Sequence, residues 1–211
     1  MIALAVLSGC STKMYTTTYV PPKEPQVAKL KRIAVVESKG DFAEEARGHI
    51  EAVLSKSEYN GASIVQVVNR KDLKKILEEQ KLQLSGLVDP STMVEFGKLT
   101  GVDGILTVQT KTQYETRSYT PSFLGLSSSS SKNCAKRLAA ANLKISIVDI
   151  SRGVNILSKN YDGLNSSKSC GLLLNKLNPP KVAQILAIKD AVRDFYMDIS
   201  PQKRHIYIDF I

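Results

Sequence analysis

Asn142-Leu143-Lys144-Ile145-Ser146-Ile147-Val148-Asp149-Ile150, followed by Ser151-Arg152-Gly153 and then Val154 to Lys159, is the stretch on which the fold turns. Leu143, Ile145 and Ile147 alternate with Asn142, Lys144 and Ser146, the period-2 pattern of a strand with one apolar and one wet face. Ser151-Arg152-Gly153 reads as a turn into a returning strand, so the segment is a hairpin. Upstream the pattern differs. Ile33 to Val36 is a continuous apolar run, as in a strand buried on both faces. Phe42, Ala46, Ile50, Val53 and Leu54 then follow at helical spacing, with Asp41 placed as a possible cap.

The alternation of strand and helix continues. Ile64 to Val68 is a second β-branched run, and Asn69 is placed to cap a helix carrying Leu73, Ile76 and Leu77, its N-terminus favoured by Asp72. Asp89-Pro90 starts another helix with Met93, Phe96 and Leu99 on one side, and Gly101 stops it as a left-handed residue would. Gly104 to Val108 is a third strand. Past the hairpin, Ile185, Ile188, Val192, Phe195 and Ile199 form a helical stripe after Pro179-Pro180, and Ile206, Ile208 and Phe210 alternate as a last strand. The expected fold is α/β: a mixed sheet flanked by helices, with an antiparallel hairpin in the C-terminal half.

In this order of elements Arg70-Lys71-Asp72-Leu73-Lys74-Lys75-Ile76-Leu77-Glu78-Glu79-Gln80 has the form R-x-x-L-x-x-L-L-x-E. Leu84 to Pro90 and Gly97 to Leu106 follow, and Asn142 to Ile150 with Gly153, Ile156 and Leu157 has the form L-x-V-V-D-x-x-T-G-x-I. Over roughly residues 30 to 200 the chain thus resembles the curli-secretion lipoprotein family of CsgG type. The resemblance implies an accessory or assembly subunit for an envelope or surface structure, with two more specific roles as alternatives. Members include an outer-membrane export channel, whose subunits each give two hairpins to a barrel, and activators of peptidoglycan synthases. A membrane strand needs about 9 to 11 residues with an apolar face. At the expected place Lys111, Gln113, Glu115 and Arg117 share one face, and Thr112, Tyr114, Thr116 and Ser118 the other. Neither face suits hydrocarbon. Ser127 to Lys132 reads as a polar loop, and Tyr161 to Asn178, the second expected hairpin, looks interrupted by Gly163, Gly171 and a Ser/Lys cluster.

The opening Met1 to Cys10 is a short apolar run ending in Leu7-Ser8-Gly9-Cys10, which looks like a lipobox: acylation of Cys10 would anchor the chain after removal of residues 1 to 9. A signal normally carries a basic segment before its apolar core, and the first basic residue here is Lys13, so the start of translation is expected upstream. Ser11 after the lipidated Cys, rather than Asp, implies the outer membrane, with the chain on its periplasmic face. Residues 10 to 29, with Pro21-Pro22 and Pro25, read as a lipidated tether, and residues 30 to 211 as the α/β domain.

With 29 Lys and Arg against 20 Asp and Glu the formal charge is +9. A basic balance serves nucleic acid, anionic lipid or an acidic polymer, and export removes nucleic acid. Chemistry is scarce. His49 and His205 fit no metal motif, and a nucleophilic pairing of Cys134 or Cys170 with His49 would depend on the fold. No glycine loop cradles phosphate. The chain is therefore expected to be no enzyme, to hold no cofactor or metal, and to bind envelope proteins while anchored through its lipid, with homo-oligomerisation open. Cys134 and Cys170 are expected to form a disulfide, since an oxidising compartment favours it and both flank the hairpin at the same end.

Overall fold

The computed structural model describes residues 13–56, 58–59, 62–63, 66–68, 90–119, 122–123, 126–127, 134–170 and 177–209. Eleven strands are assigned among them: β1 (Lys13–Val20), β2 (Arg32–Gly40), β3 (Glu58–Tyr59), β4 (Ala62–Ser63), β5 (Gln66–Val68), β6 (Gly104–Tyr119), β7 (Ser122–Phe123), β8 (Leu126–Ser127), β9 (Cys134–Asp149), β10 (Val154–Cys170) and β11 (Gln202–Asp209). The helices are α1 (Ala43–Ser55), α2 (Pro90–Thr100) and α3 (Pro180–Ile199), with a 3-10 turn at Val27–Lys29. The expected helix over Asn69 to Gln80 lies outside the described residues.

The central sheet runs β10-β9-β6-β2-β5. β5, β2 and β6 are parallel, and β6, β9 and β10 antiparallel, so this is the mixed sheet with a C-terminal hairpin that the sequence implied. The odd positions of β9 explain one layer. Ala139, Ala141, Leu143, Ile145 and Ile147 are buried with Ile50 and Leu54 of α1 and Ile188 and Phe195 of α3. On the opposite face Ala34, Val36, Ile105 and Ile150 form a second, smaller cluster. There α2 approaches closely, since a Cβ on its Gly97 would lie 2.8 Å from Ile150 Cδ1.

The Ser151-Arg152-Gly153 turn is built as expected, with Gly153 at φ 64°. Asp149 ties it, accepting from Ser151 Oγ (2.6 Å) and Arg152 Nε (2.8 Å). Burial works to raise the Asp149 pKa, but these donors outweigh it and hold the carboxyl below its ordinary value. Gly101, at φ 65°, ends α2.

Four expectations are corrected. Asp41 does not cap α1; its carboxylate instead accepts from Thr112 N (2.9 Å) and Thr112 Oγ1 (3.3 Å), which bolts the start of α1 to β6. Leu99, expected on the packed side of its helix, is 45% exposed. Residues 13–20, read as part of a tether, form β1 and pair in full register with β11, from Lys13 opposite Asp209 to Val20 opposite Gln202. Their β-branched and aromatic composition suits a strand, but the partner lies at the other end of the sequence.

The fourth correction concerns Gly163, read as an interruption. It sits inside β10, opposite Ala141. Glycine in a strand interior marks a place where another backbone comes close, and here that backbone is α3: a Cβ would stand 2.5 Å from Ala191 N and closer still to the Ala187 carbonyl oxygen. Ala183, Ala187 and Ala191, all fully buried, supply the matching small side of the helix.

Candidate functional site

Beyond the part covered by α2, strands β6, β9 and β10 continue as a three-stranded extension, residues 111–119, 134–142 and 161–170. Its pairing is unbroken and sets out rows across the sheet. On the face opposite α3 the first row is Lys111, Asn142 and Asp162, with Asn142 Nδ2 donating to Asp162 at 2.7 Å. Gln113, Ala140 and Leu164 follow, and then Glu115, Leu138 and Ser166. A basic row comes next: Arg117, Lys136 and Lys168, of which Arg117 is 2.9 Å from Glu115. The last row holds Tyr119, Cys134 and Cys170.

Cys134 and Cys170 are register partners joined by a disulfide, with Cα atoms 4.0 Å apart. The bond staples β9 to β10 at the far end of the extension. It also takes up both thiols, so neither can act as a nucleophile with His49.

Leu164 is 73% exposed, an uncommon state for a large apolar side chain in a strand. It lines two adjoining cavities, one of 840 Å³ with Lys111, Gln113, Ala140 and Asp162 and one of 560 Å³ with Leu138 and Glu115. The arrangement is an apolar strip ringed by Lys111, Glu115, Asp162 and the basic row. It offers shape, apolar area and charge of both signs, the ingredients of a protein-binding surface. Behind it, Gln184 of α3 donates to Thr112 Oγ1 at 2.9 Å and Asp190 accepts from Leu164 N at 3.1 Å, so the helix fixes the strands.

A second polar cluster lies where the chain enters the body. Asp198 of α3, almost fully buried, accepts from Lys23 (2.9 Å) and from Lys159. Burial would raise the Asp198 pKa, but these two bonds win and lower it. Tyr161, beside it, stacks edge-on against Phe195 at 5.5 Å. Burial first, and then the Asp198 and Glu24 carboxylates, push its phenol well above the ordinary range. This cluster is a strut that ties the Lys23 segment and β10 to α3.

His49 is half-buried on α1 and lines a cavity of 270 Å³ with Lys56, Lys189 and Tyr196. Burial, then Lys189, lowers its pKa and favours the neutral ring. His205 lies in β11 opposite Thr17. Among the described residues no group of three His, Cys, Asp or Glu is placed to hold a metal, and no helix is long and apolar enough to cross a membrane. Cys10 lies outside the described residues. Sequence reasoning missed the Leu164 strip, because an isolated Leu between Gly163 and Asn165 carries no period.

Several solved structures are similar to this chain at low identity. The C-terminal domain of LpoB from Escherichia coli is 13% identical, with 67% of this chain and 94% of that chain covered at a TM-score of 0.39. Lipoprotein GNA1162 from Neisseria meningitidis is 16% identical, with 72% and 90% covered at 0.34. The PelC dodecamer from Paraburkholderia phytofirmans is 11% identical, with 85% and 97% covered at 0.31. Among curated proteins none matches. The family described as curli production assembly/transport component CsgG matches residues 38–172, which is 135 (172 − 37) of 211 residues. By that match the chain belongs to the CsgG family.

Proposed function

We propose that this protein is a non-enzymatic lipoprotein of the outer membrane, acylated on Cys10 and facing the periplasm, that binds other envelope proteins as an accessory or assembly subunit. The observation that carries the reading is the exposed apolar strip around Leu164 on strands stapled by Cys134–Cys170. A rigid strip with a charged surround suits a partner better than a small substrate, since rigid elements hold a contact surface in place without ordering cost.

Membership in an assembly and transport family supports the same reading. The channel role fits less well: residues 113–119 are exposed and mostly polar or charged on either face, where a membrane strand needs one apolar face. A second reading, activation of a peptidoglycan synthase, is suggested by the tether before the domain together with the basic balance of the chain, +9 in formal charge.

Photoreactive residues placed at Leu164 and at Gln113, with an exposed control at Glu95 of α2, test the reading in intact envelopes. A specific cross-linked protein from the first two sites and not from the control is expected. Equal labelling at all three, or none at Leu164 and Gln113, would remove the strip as the contact surface.

A further inference from the structure

On the sheet face opposite α3, Arg117, Lys136 and Lys168 stand directly across from one another on β6, β9 and β10. Neighbouring strands are about 4.8 Å apart, so three cations share a row about 10 Å long. Like charges directly opposite each other across strands destabilise a sheet, and this row sets Lys136 between two of them. Little offsets the repulsion. Arg117 meets the Glu115 carboxylate at 2.9 Å, and among the described residues no carboxylate pairs with Lys136 or Lys168.

The neighbouring row on the other face shows that the repulsion is avoidable. There Thr116, Arg137 and Ser167 are register partners, a single cation between two hydroxyl side chains. Arg137 donates to Thr116 Oγ1 at 3.0 Å and to the Asn178 carbonyl, so it serves the fold. The three cations of the open face face solvent instead: Arg117 and Lys168 are exposed and Lys136 is half-buried. They also adjoin the apolar strip. Leu138 lies one same-face step of about 7 Å along β9 from Lys136, and Leu164 two such steps along β10 from Lys168.

We infer that this surface receives an acidic amphipathic helix of a partner protein, with carboxylates on Arg117, Lys136 and Lys168 and apolar side chains on Leu138 and Leu164. The inference rests on the strip being the contact surface and adds the chemistry of what binds there. Charge complementarity selects an anionic partner, and the adjoining leucines select one that is apolar beside its acids. Spacing selects the helix. Residues i and i+4 of a helix carry their Cβ atoms about 5 to 6 Å apart, near the step of about 4.8 Å along the row, whereas same-face residues of an extended segment are about 7 Å apart. A helix is about 10 to 12 Å across with its side chains, wide enough to cover the basic row and Leu138 together. Its carboxylates relieve the repulsion around Lys136, so binding recovers stability that the isolated sheet lacks.

The experiment uses the full chain and, as probe, a fluorescein-labelled peptide helix with glutamate and leucine on adjoining faces; a control peptide carries glutamine for glutamate. Fluorescence anisotropy should show binding of the first peptide, weakening as salt is raised, and little binding of the second. The triple variant Arg117→Gln, Lys136→Gln, Lys168→Gln should bind the first about tenfold more weakly, the combined effect of three exposed ion pairs. Lys136→Gln alone should raise the melting temperature by about 2 to 4 °C at low salt and leave it unchanged at high salt. Equal binding of the two peptides, equal binding by wild type and triple variant, or a lower melting temperature in Lys136→Gln would each overturn the inference. So would binding to phosphatidylglycerol vesicles but not to the peptide, which makes the row a lipid contact, or a dimer in solution that the triple variant dissociates, which makes it a contact between copies. Photo-cross-linking at Leu164 separates this inference from the reading beneath it. A partner caught equally by wild type and triple variant leaves the strip standing and ends the acidic helix, whereas no partner at Leu164 ends both.

Discussion

Gly163→Ala adds one methyl where β10 passes under α3, and the structure says what it meets. The new carbon would lie 2.5 Å from Ala191 N and 3.0 Å from the Ala187 carbonyl carbon, against an optimal separation of about 3.5 to 4.0 Å, so α3 must retreat by about 1 Å. Neither neighbour is a side-chain tip that can swing away. The retreat loosens Ala183, Ala187, Ile188 and Ala191, all fully buried. Overpacking costs 1–3 kcal/mol as a rule, and backbone neighbours put this case at about 3 kcal/mol, or roughly 6 to 12 °C in melting temperature for a domain of this size. Gly48→Ala is the control. Gly48 lies in α1 with nothing within 4 Å of a Cβ, so alanine there should raise stability by up to ~1 kcal/mol through helix propensity alone. Thermal unfolding followed by circular dichroism reads both. A Gly163→Ala protein melting within 2 °C of wild type, on the scale of those shifts, would refute the close helix–sheet contact.

Three further outcomes are expected. Asp198 has its pKa lowered in the fold, so its contribution is present above the ordinary carboxylate range, near 3.9, and is lost as pH falls through the lower folded value; the urea midpoint gap between wild type and Asp198→Asn should be wide at pH 7 and close in acid, and a gap independent of pH would contradict the strut. Denatured, non-reduced protein should show no reactive thiol from Cys134 and Cys170 and two after reduction; Cys134→Ser with Cys170→Ser should cost about 3 to 4 kcal/mol by closed-loop entropy over a separation of 36 residues, and two free thiols before reduction would sink the bond. Cells fed a fatty-acid probe should label the wild-type chain and not Cys10→Ala, and label persisting in the variant would end the anchoring proposal.

What could be read from the sequence was what neighbouring residues decide. The alternation through Leu143, Ile145 and Ile147, the turn at Gly153 and the stop at Gly101 are local, and each stands where its pattern put it. Long-range choices were hidden. Residues 113–119 carry polar groups on both faces because both are exposed, so they lacked the hydrophobic period that marks a strand; their pairing with 134–140 supplies the reason they are one. Asp41 preceded a helix as a cap should, but Thr112 outbid the helix for its carboxylate. Gly163 looked like a breaker because nothing near it in sequence announces Ala187 and Ala191. Of the candidate site, the two cysteines were legible from compartment and topology, while the Leu164 strip was not.

The pairing of Lys13–Val20 with Gln202–Asp209 also dictates an order of events in folding. Its partners are separated by almost the entire chain, from 13 opposite 209 at one end to 20 opposite 202 at the other, and closing so long a loop in an unfolded chain is slow and entropically costly. Once β10 and α3 have assembled on the sheet, the ends are already near each other and the ribbon can zip at little further loss. It should therefore be the last element acquired and the first to open in hydrogen exchange, a latch whose closure reports that everything between its two strands has folded.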